Sequence, residues 1–99
     1  MFVAVSRFVI ANGMEEAVRA AFVHRPHGVD SAPGFQRMEV LRPMGEPAEF
    51  WLMTWWDDEA TFDAWHHSHA FKDAHKGMPP GLRLKPGENH ITRFERVAE

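Results

Sequence analysis

The chain has 99 residues, 44% hydrophobic and 25% charged, with a net charge of −3 and no cysteine. These values suit a soluble globular chain forming a single domain over residues 1–99. Basic residues are scattered singly apart from Arg93 and Arg96, which excludes the clustered basic face that nucleic acid needs, and the lack of thiols excludes disulfides and thiolate chemistry.

In chain order, Phe2 to Ile10 is rich in β-branched and aromatic residues and predicts a strand. Alternation puts Phe2, Ala4, Ser6 and Phe8 on one face and Val3, Val5, Arg7 and Val9 on the other. This segment has no basic start and no small-residue cleavage site, so it does not read as a signal peptide. No apolar run reaches membrane-spanning length, and a cytoplasmic location is expected.

Asn12 followed by Glu15 predicts a capping box, with a helix from about Gly13 to His24. Met14, Val18, Ala21 and Phe22 form its apolar stripe. Pro26, Gly28 and Ser31-Ala32-Pro33-Gly34 predict a loop. Phe35 to Arg42 predicts a second strand, Pro43 to Pro47 a turn, and Glu49 to Trp56 a third strand, so the two strands form an antiparallel hairpin. Asp57 or Asp58 caps a second helix starting near Glu59, and Met78-Pro79-Pro80-Gly81 ends it. After a loop to Gly87, a last strand covers about Asn89 to Val97.

The order β-α-β-β-α-β predicts a ferredoxin-like α+β fold, an antiparallel sheet with both helices on one face. The other face would carry Phe and Trp side chains with no helix to cover them. A homodimer with its sheets facing is the simplest cover.

The second helical segment carries the chemistry. Between Phe62 and His75 it holds Trp65, two phenylalanines and four of the seven histidines. Rings and imidazoles together can line a pocket for a flat ligand, and an imidazole can ligate its metal. The plainer reading is an amphipathic helix with Phe62, Trp65 and Phe71 in the core and the histidines in water. On a straight helix Phe62, Trp65, His66 and His69 share one face, while Phe71, His75 and Met78 share the opposite one. Ser68 is a good N-cap residue, and a bend there would bring Trp65 and His75 to one cavity. If the helix is straight, His69 takes the place beside Trp65. His66, His69 and Asp73 have the spacing for two nitrogens and an oxygen on zinc, but no fourth ligand is identifiable. His24 and His27 read as solvated loop residues, and Asp57-Asp58-Glu59 as a helix-start charge cluster.

The element order together with Phe62-x-x-Trp65-x-x-Ser68-x-x-Phe71-x-x-x-His75-Lys76 resembles the antibiotic biosynthesis monooxygenase superfamily, and within it the IsdG-type haem-degrading branch. The resemblance covers nearly the whole chain as element order and about fifteen residues as side chains. It implies a haem-binding monooxygenase in which haem is both cofactor and substrate, with iron released and an external electron donor. It further implies His75 as the iron ligand and Trp65 packed against the macrocycle, with Phe22, Val23, Met38, Phe71 and Met78 as apolar walls. The branch's first-strand Glu-Asn-Arg corresponds here to Val5-Ser6-Arg7. Ser6 therefore stands in the position of the distal Asn, with a shorter side chain and no amide N–H. The alternatives are a cofactor-free monooxygenase of a phenolic substrate, with His75 as a base, and a non-catalytic dimeric ligand-binding protein.

Overall fold

The computed structural model describes residues 1–68, 71–72 and 77–99. Four strands form one antiparallel sheet: β1 (Phe2–Val9), β2 (Phe35–Leu41), β3 (Glu49–Trp56) and β4 (His90–Glu95). Their spatial order is β2-β3-β1-β4. The helices α1 (Glu15–Val23) and α2 (Glu59–His66) follow β1 and β3. This is the ferredoxin-like arrangement expected from the element order. The register aligns Ala4 with Thr54, Ser6 with Leu52 and Phe8 with Phe50. Those positions, with Met38 opposite Thr54 on β2 and Ile91 opposite Ser6 on β4, share one face of the sheet.

Several local expectations are corrected. Asn12 does not cap α1. Gly13 adopts φ +74°, and Met14 takes the N-cap position with no side-chain hydrogen bond. The Asn12 amide donates instead to the Gly81 carbonyl (2.8 Å) and accepts from the Arg83 N–H (3.3 Å), tying the start of α1 to a segment some seventy residues later. Glu15 and Glu16 still occupy the first turn, where the helix dipole favours anions. The expected loop after α1 contains a 3-10 turn, Gly28–Ser31, whose Val29 is buried. Gly34, in the turn just before β2, has φ +80°, and a Cβ there would lie 2.6 Å from the Thr61 side chain, so only glycine lets this corner pack against α2.

Asp58 caps α2 by accepting from the Thr61 N–H at 2.9 Å. The helix does not run on to Met78. It ends at His66, where the Ser68 N–H bonds back to the Trp65 carbonyl in a tightened last turn. The Ser68 hydroxyl donates to that same carbonyl (2.6 Å) and accepts from the Phe71 N–H (3.1 Å). Ser68 therefore closes α2 and holds the Phe71 N–H beyond it, at the position where the bend is expected.

The core is split. Phe2, Ala4, Val29, Trp56 and Phe62 form one buried cluster under α2 and the 3-10 turn. Ile10, Val18 and Phe50 form another under α1, with Phe8 and Phe22 packed against it. Between them lie the middle positions of β1 and β3. The opposite sheet face carries Trp51, Leu41 and Phe94, exposed at 36%, 48% and 48%. Arg37 lies over the Trp55 ring at 4.1 Å. No helix among the described residues is long and apolar enough to cross a membrane.

Candidate active site

The gap between the two core clusters opens into a cavity of about 450 Å³. That volume falls within the ~300–1,000 Å³ usual for small-molecule sites. The sheet supplies its floor through Ser6, Phe8, Met38, Leu52, Thr54 and Ile91. Phe22 and Ala21 come from α1, Val29 from the 3-10 turn, and Trp65 from α2. Phe71 and Met78 close it beyond the bend, with Leu82 and Leu84 from the connection to β4. The lining is mostly aromatic and aliphatic. Its polar members are Ser6, Thr54, Arg7, Arg25, Asn89 and His90.

Six of the residues picked from sequence thus meet around one hollow: Ser6, Phe22, Met38, Trp65, Phe71 and Met78. The bend explains how. A straight helix would set Phe71 opposite Trp65, whereas here the two rings meet edge to face at 6.1 Å. Val23 is a correction. It lies at the end of α1, 62% exposed and outside the cavity lining, because the helix turns its Phe22 side inward. His75 and His69 lie outside the described residues, as does Asp73 of the zinc alternative. Among the described residues no cluster of three metal-binding side chains occurs. His66 is half-buried and stacks on Phe62 at 5.3 Å, so it is not simply a solvated histidine.

Sequence reasoning missed Thr54, Arg25 and the 82–91 segment. Thr54 had a readable signal, since alternation along β3 places it on the helix-covered face. Arg25 had none, because its position depends on the 3-10 turn. Asp30 in that turn accepts from both terminal nitrogens of Arg25 at 3.3 Å and pairs with His27 Nδ1 at 2.9 Å. Desolvation works to raise the Asp30 pKa, but the His27 hydrogen bond and the Arg25 charge outweigh it and hold the carboxyl below its ordinary range.

On the opposite sheet face a polar cluster ties β1 to β3 and to the chain entering β4. Arg7 donates to Glu49 (3.0 Å), to the Glu88 carboxylate (3.2 Å) and to the Glu88 carbonyl (2.8 Å). Glu49 also accepts from Trp51 Nε1 at 2.6 Å. The Trp51 bond first, then Arg7, lowers the Glu49 pKa. The Asn89 side chain accepts from the Val9 N–H (3.1 Å) and donates to the Lys85 carbonyl (2.7 Å), fixing the chain that carries Leu84 and Ile91.

A second hollow of about 500 Å³ lies between the 3-10 turn and α2, lined by Ser31, Ala32, Asp58, Thr61, Ala64 and Ser68 among others. Trp65 lines both hollows.

Fold and site together define a ferredoxin-like α+β protein with an apolar cavity between its helices and its sheet. The chain belongs to the antibiotic biosynthesis monooxygenase family, whose model matches residues 1–77. It is 32% identical over 78 residues to a staphylobilin-producing haem oxygenase of Staphylococcus haemolyticus, covering 77% of this chain and 74% of that one. Among solved structures it is similar to the haem degrader MhuD of Mycobacterium tuberculosis, determined with two haems in its active site. That likeness has a TM-score of 0.80 at 25% identity, over 100% of this chain and 98% of that one. The fold also matches SnoaB, a cofactor-independent oxygenase of Streptomyces nogalater, with a TM-score of 0.78 at 17% identity over 99% and 94% of the two chains.

Proposed function

We propose that this protein is a haem-degrading monooxygenase that binds haem in the cavity beneath α1 and α2, opens the porphyrin and releases its iron. The observation that carries the reading is the meeting of Ser6 with Trp65, Phe71 and Met78 around one apolar hollow, in a chain whose relatives include haem oxygenases. The chemistry of the lining fits the group. A flat macrocycle needs aromatic and aliphatic walls, which Phe22, Met38, Trp65 and Phe71 supply. Its carboxylates need a cation, and Arg25 is on the lining.

Bound haem would bring the iron at which oxygen is activated. The protein's part is to hold it and exclude water. Trp65 presses on one side of the ligand as a rigid wall. Ser6 offers a hydroxyl from the sheet. His75 is proposed as the protein ligand to iron, on the motif that places it ten residues after Trp65. A neutral imidazole is needed there. Electrons come from an external donor. We further propose a homodimer joined through the sheet face that carries Trp51, Leu41 and Phe94, since these apolar side chains would otherwise stay wet.

A phenolic substrate oxidised without haem is the second reading. The hydroxyls of Ser6 and Thr54 on the sheet wall favour it, because they suit a phenol oxygen as well. Haemin titration separates the two. Saturable growth of a shifted Soret band at equal haemin and protein is expected, with the histidine-ligated spectrum lost in His75→Ala. Bleaching of that band by reductant in air completes the assignment. No spectral change on adding haemin would overturn it and favour the phenolic reading.

A further inference from the structure

Thr54 is the only buried polar residue among the described residues, at 8% exposure. It stands on the cavity floor, opposite Ala4 and diagonal to Ser6. Its Oγ1 reaches the Ala4 carbonyl at 3.5 Å, the outer limit of a hydrogen bond. Among the described residues the Ser6 hydroxyl makes no hydrogen bond. A buried hydroxyl with so poor a partner is unfavourable, and a valine would fill the same place in a strand without that cost. A polar atom in the cavity would relieve it. Diagonal neighbours across an antiparallel pair stand about 7–8 Å apart between backbones, so a small group lying between Ser6 and Thr54 can be reached by both hydroxyls.

We propose that Thr54 is a substrate-contacting residue that acts with Ser6 as a pair of hydroxyl donors on the sheet wall, hydrogen-bonding the oxygen that the reaction consumes. This rests on the haem-degrading reading above. It resolves the difficulty that reading carries. Ser6 is too short to do alone what an asparagine amide would do, and Thr54 brings a second donor from the neighbouring strand. Donors fixed in a low-dielectric wall act where charge develops during reaction, so they change rate more than affinity.

The test uses haemin, a chemical reductant and air with the wild type, Thr54→Val and Thr54→Ser. Thr54→Val should bind haemin within about twofold of wild type, while its single-turnover degradation slows by about tenfold or more, as expected for losing one fixed donor. Thr54→Ser should restore most of the rate. The unfolding midpoint of Thr54→Val should equal or exceed wild type, whereas a structural hydroxyl would lower it. Combining Thr54→Val with Ser6→Ala should slow the reaction by less than the product of the single effects, because both donors serve one group. Wild-type degradation rates in Thr54→Val overturn the proposal and leave haem degradation standing. Failure of the wild type to bind or degrade haem removes both.

Discussion

Trp65→Ala separates a pocket wall from a core residue. Trp56 sets the scale. It is wholly buried, edge to face with Phe35 and Phe62, and its truncation should cost about 3–5 kcal/mol. Trp65 is of the same size but only half-buried, since two hollows take up part of its surface. It keeps its packing on the cluster of Phe2 and Phe62 and its edge contact with Phe71. With roughly half the buried area, Trp65→Ala should cost about 2 kcal/mol at ~25 cal/mol per Å². At about 4–8 °C per kcal/mol for a domain of this size, the melting point should fall by about 8–16 °C. Trp56→Ala should fall further or fail to fold. Haemin affinity of Trp65→Ala should drop by about tenfold or more, since that corresponds to only ~1.4 kcal/mol of lost contact. Both measurements belong at one fixed protein concentration, because assembly would shift the melt. A melting loss as large as that of Trp56→Ala, with haemin binding unchanged, would refute the reasoning and return Trp65 to the core.

Ser68→Ala should cost about 1 kcal/mol and lower helicity by circular dichroism, since it removes the cap on Phe71. Gly34→Ala should destabilise by more than about 1 kcal/mol, from its positive φ and from the contact with Thr61. Adding Thr61→Ala should recover only part in urea unfolding, because the backbone penalty stays. Glu49 has its folded pKa lowered by Trp51 and Arg7, so its stabilisation holds above the ordinary carboxylate range and is lost as pH falls through the lowered value. Glu49→Gln should flatten that acid limb in melts taken across pH. The wild type should sediment as a dimer at micromolar concentration, and Trp51→Lys should dissociate it; a wild-type monomer would refute the covered sheet face.

The parts of the fold legible in sequence are those set by short-range pattern. β3 is bounded in sequence at Glu49 and Trp56 because a Pro/Gly turn and the Asp57-Asp58 cap flank the stretch Phe50 to Trp56, which is apolar but for Thr54. Asp58 as a cap and Ser68 as a bend were legible because each acts within three residues. The split of β1 into two faces follows from alternation, which groups Ser6 with Phe2, Ala4 and Phe8, while the resemblance alone turns that face toward the ligand. Phe22, Met38, Trp65, Phe71 and Met78 come to the cavity in sequence through the family resemblance, whose flat ligand asks for apolar walls, and not through any local pattern of their own.

What was not legible depends on partners far along the chain, and those positions gather at the cavity. Asn12 has every local reason to cap α1, yet its side chain goes to the backbone of Gly81 and Arg83. The 3-10 turn that carries Val29 to the wall and holds Arg25 through Asp30 shows in sequence only as loop residues. Val23 sits beside Phe22, but one step around the helix takes it to water. Thr54 keeps a poorly partnered hydroxyl where valine would be more stable. A chain selected for stability alone would have its local preferences and its packing agree throughout. Here they disagree around one hollow, where Asn12 and Asn89 pin the segment bearing Leu82, Leu84 and Ile91 across the opening. Local capping and full burial are given up there in favour of a wall of defined shape, and that is the physical argument for treating the cavity as a site rather than a packing defect.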